Sequence, residues 1–352
     1  MSKKDSSVLQ LKNLSSNNKT SLIYSNFRSQ LNTSIKKNTF LVAVSGGPDS
    51  LALSALSYTY LLEKKTKVFF VLVDHGIRAN SSKEAQDVKN LLREKGINLK
   101  ILKNKKKINK NIQSHAREIR YILLLNFCKK NKIKFIMTGH HRDDQIETFL
   151  IRLSRGSGIQ GLSSMSKVSS LSSSTKLFRP LLDEKKKNLI FLAKYYFGKI
   201  FKDPSNANQK YLRTKVRNLI KQFEKSGIKH DRIINSINNL ASTRDTLNIY
   251  IKKIERNCVI KKNNTININL DFFLLENNEI QLKIFSNCIK RISKNYYPPR
   301  AKKVLNLLNR IESNKSLKAT LGGCIINRHK KNLVISKEEL KKSHKTLIFD
   351  KN

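Results

Sequence analysis

The stretch Phe40-Leu41-Val42-Ala43-Val44-Ser45-Gly46-Gly47-Pro48-Asp49-Ser50 decides the fold. Its five leading apolar residues read as a buried strand, and a helical pattern begins directly after Ser50. Between them, two glycines let the backbone turn tightly enough for several N–H groups to face one anion, and the next helix adds the positive end of its dipole. Ser45, Gly46, Gly47, Pro48, Asp49 and Ser50 are therefore candidate phosphate-binding residues, although most glycine pairs are simply turns. No lysine follows the glycines, so this is not the G-x-x-x-x-G-K-S/T loop of ordinary ATPases and GTPases. Compensating charge has to come from elsewhere.

Outward from this stretch, strand and helix patterns alternate. Residues 68–73, 99–102 and 135–137 are strand candidates. Residues 82–95 look helical, and the series Ile112, Ala116, Ile119, Leu123, Phe127 and Ile146, Phe149, Leu150, Leu153 recur at helical spacing. Such alternation predicts an α/β domain whose parallel sheet is covered on both faces. The pattern divides the chain into a polar lead-in with a short helix over 1–36, a catalytic domain over 37–225, a helical linker over 226–280 and a small α+β unit over 281–352. The serine-rich segment 163–175 reads as a flexible loop.

The charge is far from ordinary: 71 Lys plus Arg face 25 Asp plus Glu, a formal +46. An A+T-rich coding bias accounts for part of the lysine, but the scarcity of acids favours a polyanionic partner bound through counterion release. Cys128, Cys258, Cys288 and Cys324 stand far apart, with no C-x-x-C pair, and read as reduced thiols. No apolar run approaches the roughly 18 residues of a membrane span, so the expected location is cytoplasmic, with no membrane partner.

In open α/β sheets, ligands bind where strands end at their carboxyl edges. Three segments meet that rule: 45–50, Asp74-His75-Gly76-Ile77-Arg78 and Gly139-His140-His141-Arg142-Asp143-Asp144. Asp143 and Glu147 lie four apart on one predicted helix and repel unless a cation or a basic partner sits between them. Mg²⁺ held by Asp143 or Asp144 meets that need, because it takes one or two carboxylates and completes its shell with phosphate oxygens and water. One of that pair is expected to cap the helix and the other to ligate. His140 and His141 lack the partners of a zinc site and are candidates for substrate contact or proton transfer. Asp74 either serves the nucleotide or orders its own loop. Arg117 and Arg120 flank an apolar stripe from which they could reach the crevice, and Arg155 and Gly156 begin a glycine-rich turn suited to anions.

Assembled in order, these segments resemble the tRNA(Ile)-lysidine synthase family of the N-type ATP pyrophosphatases, the PP-loop group. The resemblance is carried by Ser45 to Ser50, Val73-Asp74-His75-Gly76-Ile77-Arg78, Ala116-Arg117-Glu118-Ile119-Arg120-Tyr121 and the block from Gly139 to Thr148. It continues through Arg155-Gly156-Ser157-Gly158 with Gly161-Leu162, Arg179-Pro180-Leu181-Leu182 and Asp203-Pro204-Ser205-Asn206. Thr214 stands where the family's arginine-bearing helix usually has asparagine. The resemblance implies a PP-loop fold like that of the adenine nucleotide alpha hydrolases, ATP with Mg²⁺, free L-lysine, and a tRNA(Ile) with a CAU anticodon. It further implies that Gly46, Gly47 and Ser50 hold departing pyrophosphate, and that His140, His141 or Asp144 takes a proton from the lysine amine. A tRNA-binding role for the C-terminal unit is the looser part of that inference. A sulfur-inserting PP-loop enzyme and a non-catalytic RNA-binding protein are the alternative readings.

Overall fold

The computed structural model describes residue 14 and residues 17–36, 38–77, 79–104, 112–201, 212–295 and 298–338. Arg78, Asp203-Pro204-Ser205-Asn206 and Tyr211 lie outside the described residues. The chain forms two units, residues 1–242 and 243–352.

The first unit runs α1 (Asn18–Ser34), β1 (Phe40–Val44), α2 (Pro48–Lys64), β2 (Val68–Asp74), α3 (Ser81–Glu94), β3 (Leu99–Lys103), α4 (Ile112–Lys130) and β4 (Phe135–Met137). It continues with α5 (Arg142–Leu153), α6 (Ile159–Leu162), β5 (Val168–Ser170), β6 (Lys176–Phe178), α7 (Lys186–Phe197) and α8 (Leu212–Lys225). The strand order is β3-β2-β1-β4-β6-β5, parallel throughout except for β5. From β1 the chain progresses one way to β2 and β3, then returns to the other side for β4 and β6. That reversal opens a crevice between the carboxyl ends of β1 and β4.

Apolar side chains fix this arrangement. Leu51, Ala52, Leu53, Ala55 and Leu56 are all fully buried, so α2 is apolar nearly all round, the mark of a helix packed on several sides. It packs in one cluster with β1, α1, α3 and α7, while α4 covers the opposite sheet face through Tyr121, Leu124 and Cys128. Each such Leu or Phe contributes about 1.5–3 kcal/mol by leaving water.

Three expectations change. The lead-in is not a separate piece: Ile23, Phe27 and Leu31 of α1 insert into the main core, and Tyr24 donates its hydroxyl hydrogen to Glu63 on α2 at 2.5 Å. The serine-rich segment contains β5 and pairs antiparallel with β6, because Arg179 donates to the Ser166 carbonyl at 2.7 Å and to Ser169 Oγ at 3.2 Å. Residues 226–280, expected to be a helical or linker region, hold strands as well as helix. The helix α9 (His230–Cys258) continues from the first unit into the second, where β7 (Val259–Lys262) and β8 (Thr265–Asn269) follow it.

The second unit adds α10 (Leu270–Phe273), α11 (Asn278–Ser293), α12 (Ala301–Ser313), β9 (Ser316–Leu321), β10 (Cys324–His329) and β11 (Asn332–Lys337). Its antiparallel sheet has the order β7-β8-β11-β10-β9. Ile284, Phe285 and Ile289 of α11, with Val304 and Ile311 of α12, pack with Ile326 and Ile335 of the sheet.

Two predictions follow from the packing. A Cβ on Gly139, just beyond β4, falls 2.7 Å from the Asp49 carbonyl oxygen and 2.9 Å from its carbon, so neither backbone can yield cheaply. Gly139→Ala is expected to cost about 1–3 kcal/mol of stability in urea unfolding. All four cysteines are buried, and that burial pushes the Cys128 and Cys288 thiols up to about 12, Cys258 to about 11, and Cys324 above the ordinary thiol value. Native protein treated with iodoacetamide at about pH 8 should therefore gain no adducts by intact mass, and all four after unfolding.

Candidate active site

The loop after β1 is held by its own hydroxyls. Gly46 turns with φ +83°, and a Cβ there would sit 2.6 Å from Val88 of α3, so only glycine fits. Ser50 Oγ donates to the Gly47 carbonyl at 2.9 Å and accepts from the Ser45 N–H at 3.1 Å. Ser50 thus staples the loop from a buried position, and an incoming phosphate is left to the backbone N–H groups of the turn and of the first turn of α2. Pro48 takes the first helical turn, where its missing N–H costs nothing. Asp49 follows it, with Oδ1 buried and without a hydrogen-bond partner among the described residues.

Across the crevice, Gly139 brings the end of β4 against the backbone of Asp49 and Ser50. His141, at the N-cap of α5, has an extended backbone whose N–H donates to Asp144 Oδ2 at 3.1 Å. Asp144 is therefore the capping member of the acidic pair. The His141 ring is 2 % exposed, and its Nε2 lies 3.6 Å from Asp49 Oδ2 and 3.5 Å from Asp144 Oδ2. Burial alone would lower this imidazole's pKa, but the bond to Asp49 and the charges of Asp144, Asp49 and Asp143 outweigh it and raise it. Burial would likewise raise Asp144, yet the His141 charge and backbone N–H hold its carboxyl below the ordinary range.

His140 behaves oppositely. Burial, reinforced by Arg179, Arg117 and Arg213 against the pull of Asp144, pushes it down to about 3. Its Nδ1 lies 2.7 Å from Thr138 Oγ1. It is a neutral hydrogen-bonding group at pH 7, not a proton acceptor matched to that pH.

The repulsion foreseen between Asp143 and Glu147 is relieved by a side chain. Arg217 of α8 donates from Nε to Glu147 Oε1 and from Nη2 to Oε2 at 3.3 Å, a bidentate pair beneath the Ile146, Leu150, Val216 and Ile220 contact. Among the described residues Asp143 makes no such pair, and it stays half-buried at the start of α5.

At the end of β2, Asp74 is a loop organiser. Its Oδ1 accepts from the Gly76 N–H at 3.0 Å and its Oδ2 from Ser82 Oγ at 2.7 Å; burial opposes ionisation, but these bonds keep its pKa lowered. Arg120 donates to His75 Nε2 at 3.4 Å, and Arg117 stacks over Tyr121 with 5.2 Å to the ring centroid. Arg155 and Gly156 follow the far end of α5, whose 12 residues span roughly 18 Å at 1.5 Å per residue.

Gly139 and Glu147 stood in the sequence reading without the roles they take here, and Arg213 and Arg217 entered it only as part of the arginine-bearing helix of the resemblance. The bond of Arg217 to Glu147 joins two helices and has no local signal in the sequence. Among the described residues no group of three or more His, Cys, Asp or Glu side chains forms a metal cage. Mg²⁺ needs none, and the unpartnered Asp49 Oδ1 with Asp143 suits an ion that arrives with phosphate oxygens.

Residues 19–223 match the family model described as a PP-loop domain. The chain is 36% identical over 318 residues to the tRNA(Ile)-lysidine synthase of Wolbachia pipientis wMel, covering 89% of this chain and 74% of that protein. It is 30% identical over 339 residues to the synthase of Rickettsia typhi, covering 94% and 78%. In structure it resembles the U34-tRNA thiolase NcsA from Methanococcus maripaludis, with a TM-score of 0.54 and 20% identity, over 64% of this chain and 79% of that one. That likeness concerns the fold alone. With a PP-loop domain over more than half its length and these relatives along most of the rest, the chain belongs to the tRNA(Ile)-lysidine synthase family.

Proposed function

We propose that this chain joins free L-lysine to the wobble cytidine of an isoleucine tRNA with a CAU anticodon, at the expense of ATP. The oxygen on ring carbon 2 attacks the α-phosphate, pyrophosphate leaves, and the base is adenylated. A lysine amine then attacks the same carbon and expels AMP, so that the anticodon reads AUA. The observation that carries this reading is the meeting of the glycine loop of β1 with the carboxylate-bearing start of α5, backbone to backbone at Gly139.

The turn at Gly46 and Gly47 and the first N–H groups of α2 would take the departing pyrophosphate. Asp49 and Asp143 would hold Mg²⁺, which when bound offsets the charge developing on the phosphates. Asp144, already engaged by His141, is the poorer ligand. The second step needs a neutral amine. His141 is sealed from substrate and His140 is pushed far below neutrality, so neither fits the role of general base. The same arginines that depress His140 would favour the uncharged form of an approaching amine. The formal +46 supplies the attraction for RNA, and no described helix is long and apolar enough to cross a membrane. A cytoplasmic location is part of this proposal.

Sulfur insertion is disfavoured by the cysteines, which are buried with raised pKa values and lie on α4 and in the second unit. Purified protein should release AMP and pyrophosphate through full turnover only when cognate tRNA and lysine are both present, and nucleoside mass spectrometry should find a lysine adduct. A sulfur adduct, or modification without lysine, would reject the proposal. Asp143→Ala should lower adenylation by about a hundredfold or more while leaving tRNA affinity within about twofold. Equal loss of tRNA binding would make Asp143 structural.

A further inference from the structure

Both carboxylates that flank the crevice reach for one nitrogen. Asp49 Oδ2, in the first turn of α2, and Asp144 Oδ2, in the first turn of α5, lie 3.6 and 3.5 Å from His141 Nε2. The ring is 2 % exposed. Its backbone N–H is also committed to Asp144, and two residues earlier Gly139 presses against the Asp49 backbone. Ring and backbone therefore tie the same two helix starts together by independent contacts. Four residues beyond, the Gln145 amide donates to the Met165 carbonyl at 2.9 Å and accepts from its N–H at 2.8 Å, fixing the outer side of the same turn.

We infer that His141 is a positioning residue whose ring bridges Asp49 and Asp144 and so sets the spacing between the phosphate loop and the acidic helix. It moves no proton in the reaction, because nothing in the crevice can touch a ring buried this deeply. Without it, Asp49 and Asp144 face one another with no side-chain donor between them, and the two carboxylates move apart. The bridge also leaves Asp49 Oδ1 as that residue's remaining acceptor. Removing the ring therefore disturbs the phosphate loop and the carboxylate of Asp49 together.

The inference rests on the two-step reading above, and it assigns His141 to the first step. It is tested by separating the steps: adenylation of tRNA without lysine, followed by pyrophosphate release, and transfer of lysine to tRNA adenylated beforehand by wild-type protein. His141→Leu should lose adenylation by about a hundredfold and raise the KM for ATP by about tenfold. His141→Gln returns a neutral donor near the Nε2 position and should restore adenylation to within about fivefold of wild type, with lysine transfer intact. Calorimetric ATP affinity should follow the same order, wild type then Gln then Leu, which gives a readout besides turnover. Should the Leu variant fail to fold by circular dichroism, the Gln variant decides alone: glutamine cannot serve as a base. Normal adenylation with lost lysine transfer in either variant overturns the inference. Absence of adenylation in the wild-type control would instead overturn the proposed function.

Discussion

The close approach of two backbones, Gly139 at the end of β4 and Asp49 at the start of α2, is the constraint on which the site depends. A parallel sheet whose order reverses between β1 and β4 always leaves a crevice there, but its width is set by whatever meets at the rim. Here the residue at the point of contact on the β4 side is Gly139, which carries no side chain. The strand end can therefore sit directly on the helix, and the loop N–H groups, the Asp49 carboxylate and the first turn of α5 fall within the reach of a single ligand. Everything further out, including Arg217 on Glu147 and Ser50 within its loop, holds those pieces at that distance.

Charge is distributed unevenly around this point. In a chain with only 25 acidic residues, Asp49, Asp143, Asp144 and Glu147 share one crevice, while Arg117, Arg179 and Arg213 act on its histidine His140. Neighbouring histidines diverge: the carboxylates around His141 outweigh its burial and draw it toward its charged form, while burial, with the arginines adding to it, holds His140 neutral. A shared sequence neighbourhood imposes no shared chemistry once each ring points at a different field.

Much of this was legible beforehand. The apolar run at 40–44, the glycine turn and the strand at 135–137 stood in the sequence because burial and turn geometry leave strong local signatures. What escaped had non-local causes. β6 is three residues long and is read only through its pairing with β4 and β5. β7 and β8 are short strands joined by a tight turn, and although β8 alternates as Thr-Ile-Asn-Ile-Asn, its second partner β11 lies more than 60 residues further on. Ser50 was expected, through the resemblance, to hold pyrophosphate with Gly46 and Gly47, and what the sequence did not show is that its hydroxyl bonds within the loop. The choice of Asp144 as the cap is settled within α5, whereas Glu147 as an arginine's partner required α5 and α8 side by side.

The edges of the two sheets bear on behaviour at high concentration. The first sheet ends on one side in β3, Leu-Lys-Ile-Leu-Lys, and on the other in the three-residue strand Val-Ser-Ser. The second ends in β7, Val-Ile-Lys-Lys, and in β9, whose centre carries Lys318. Three of the four rims hold lysine and the fourth is too short to template a neighbour, the standard defence against strand addition between molecules. Lysine enrichment thus has a use of its own at the sheet edges: it keeps the unpaired rims of an α/β protein from seeding aggregates.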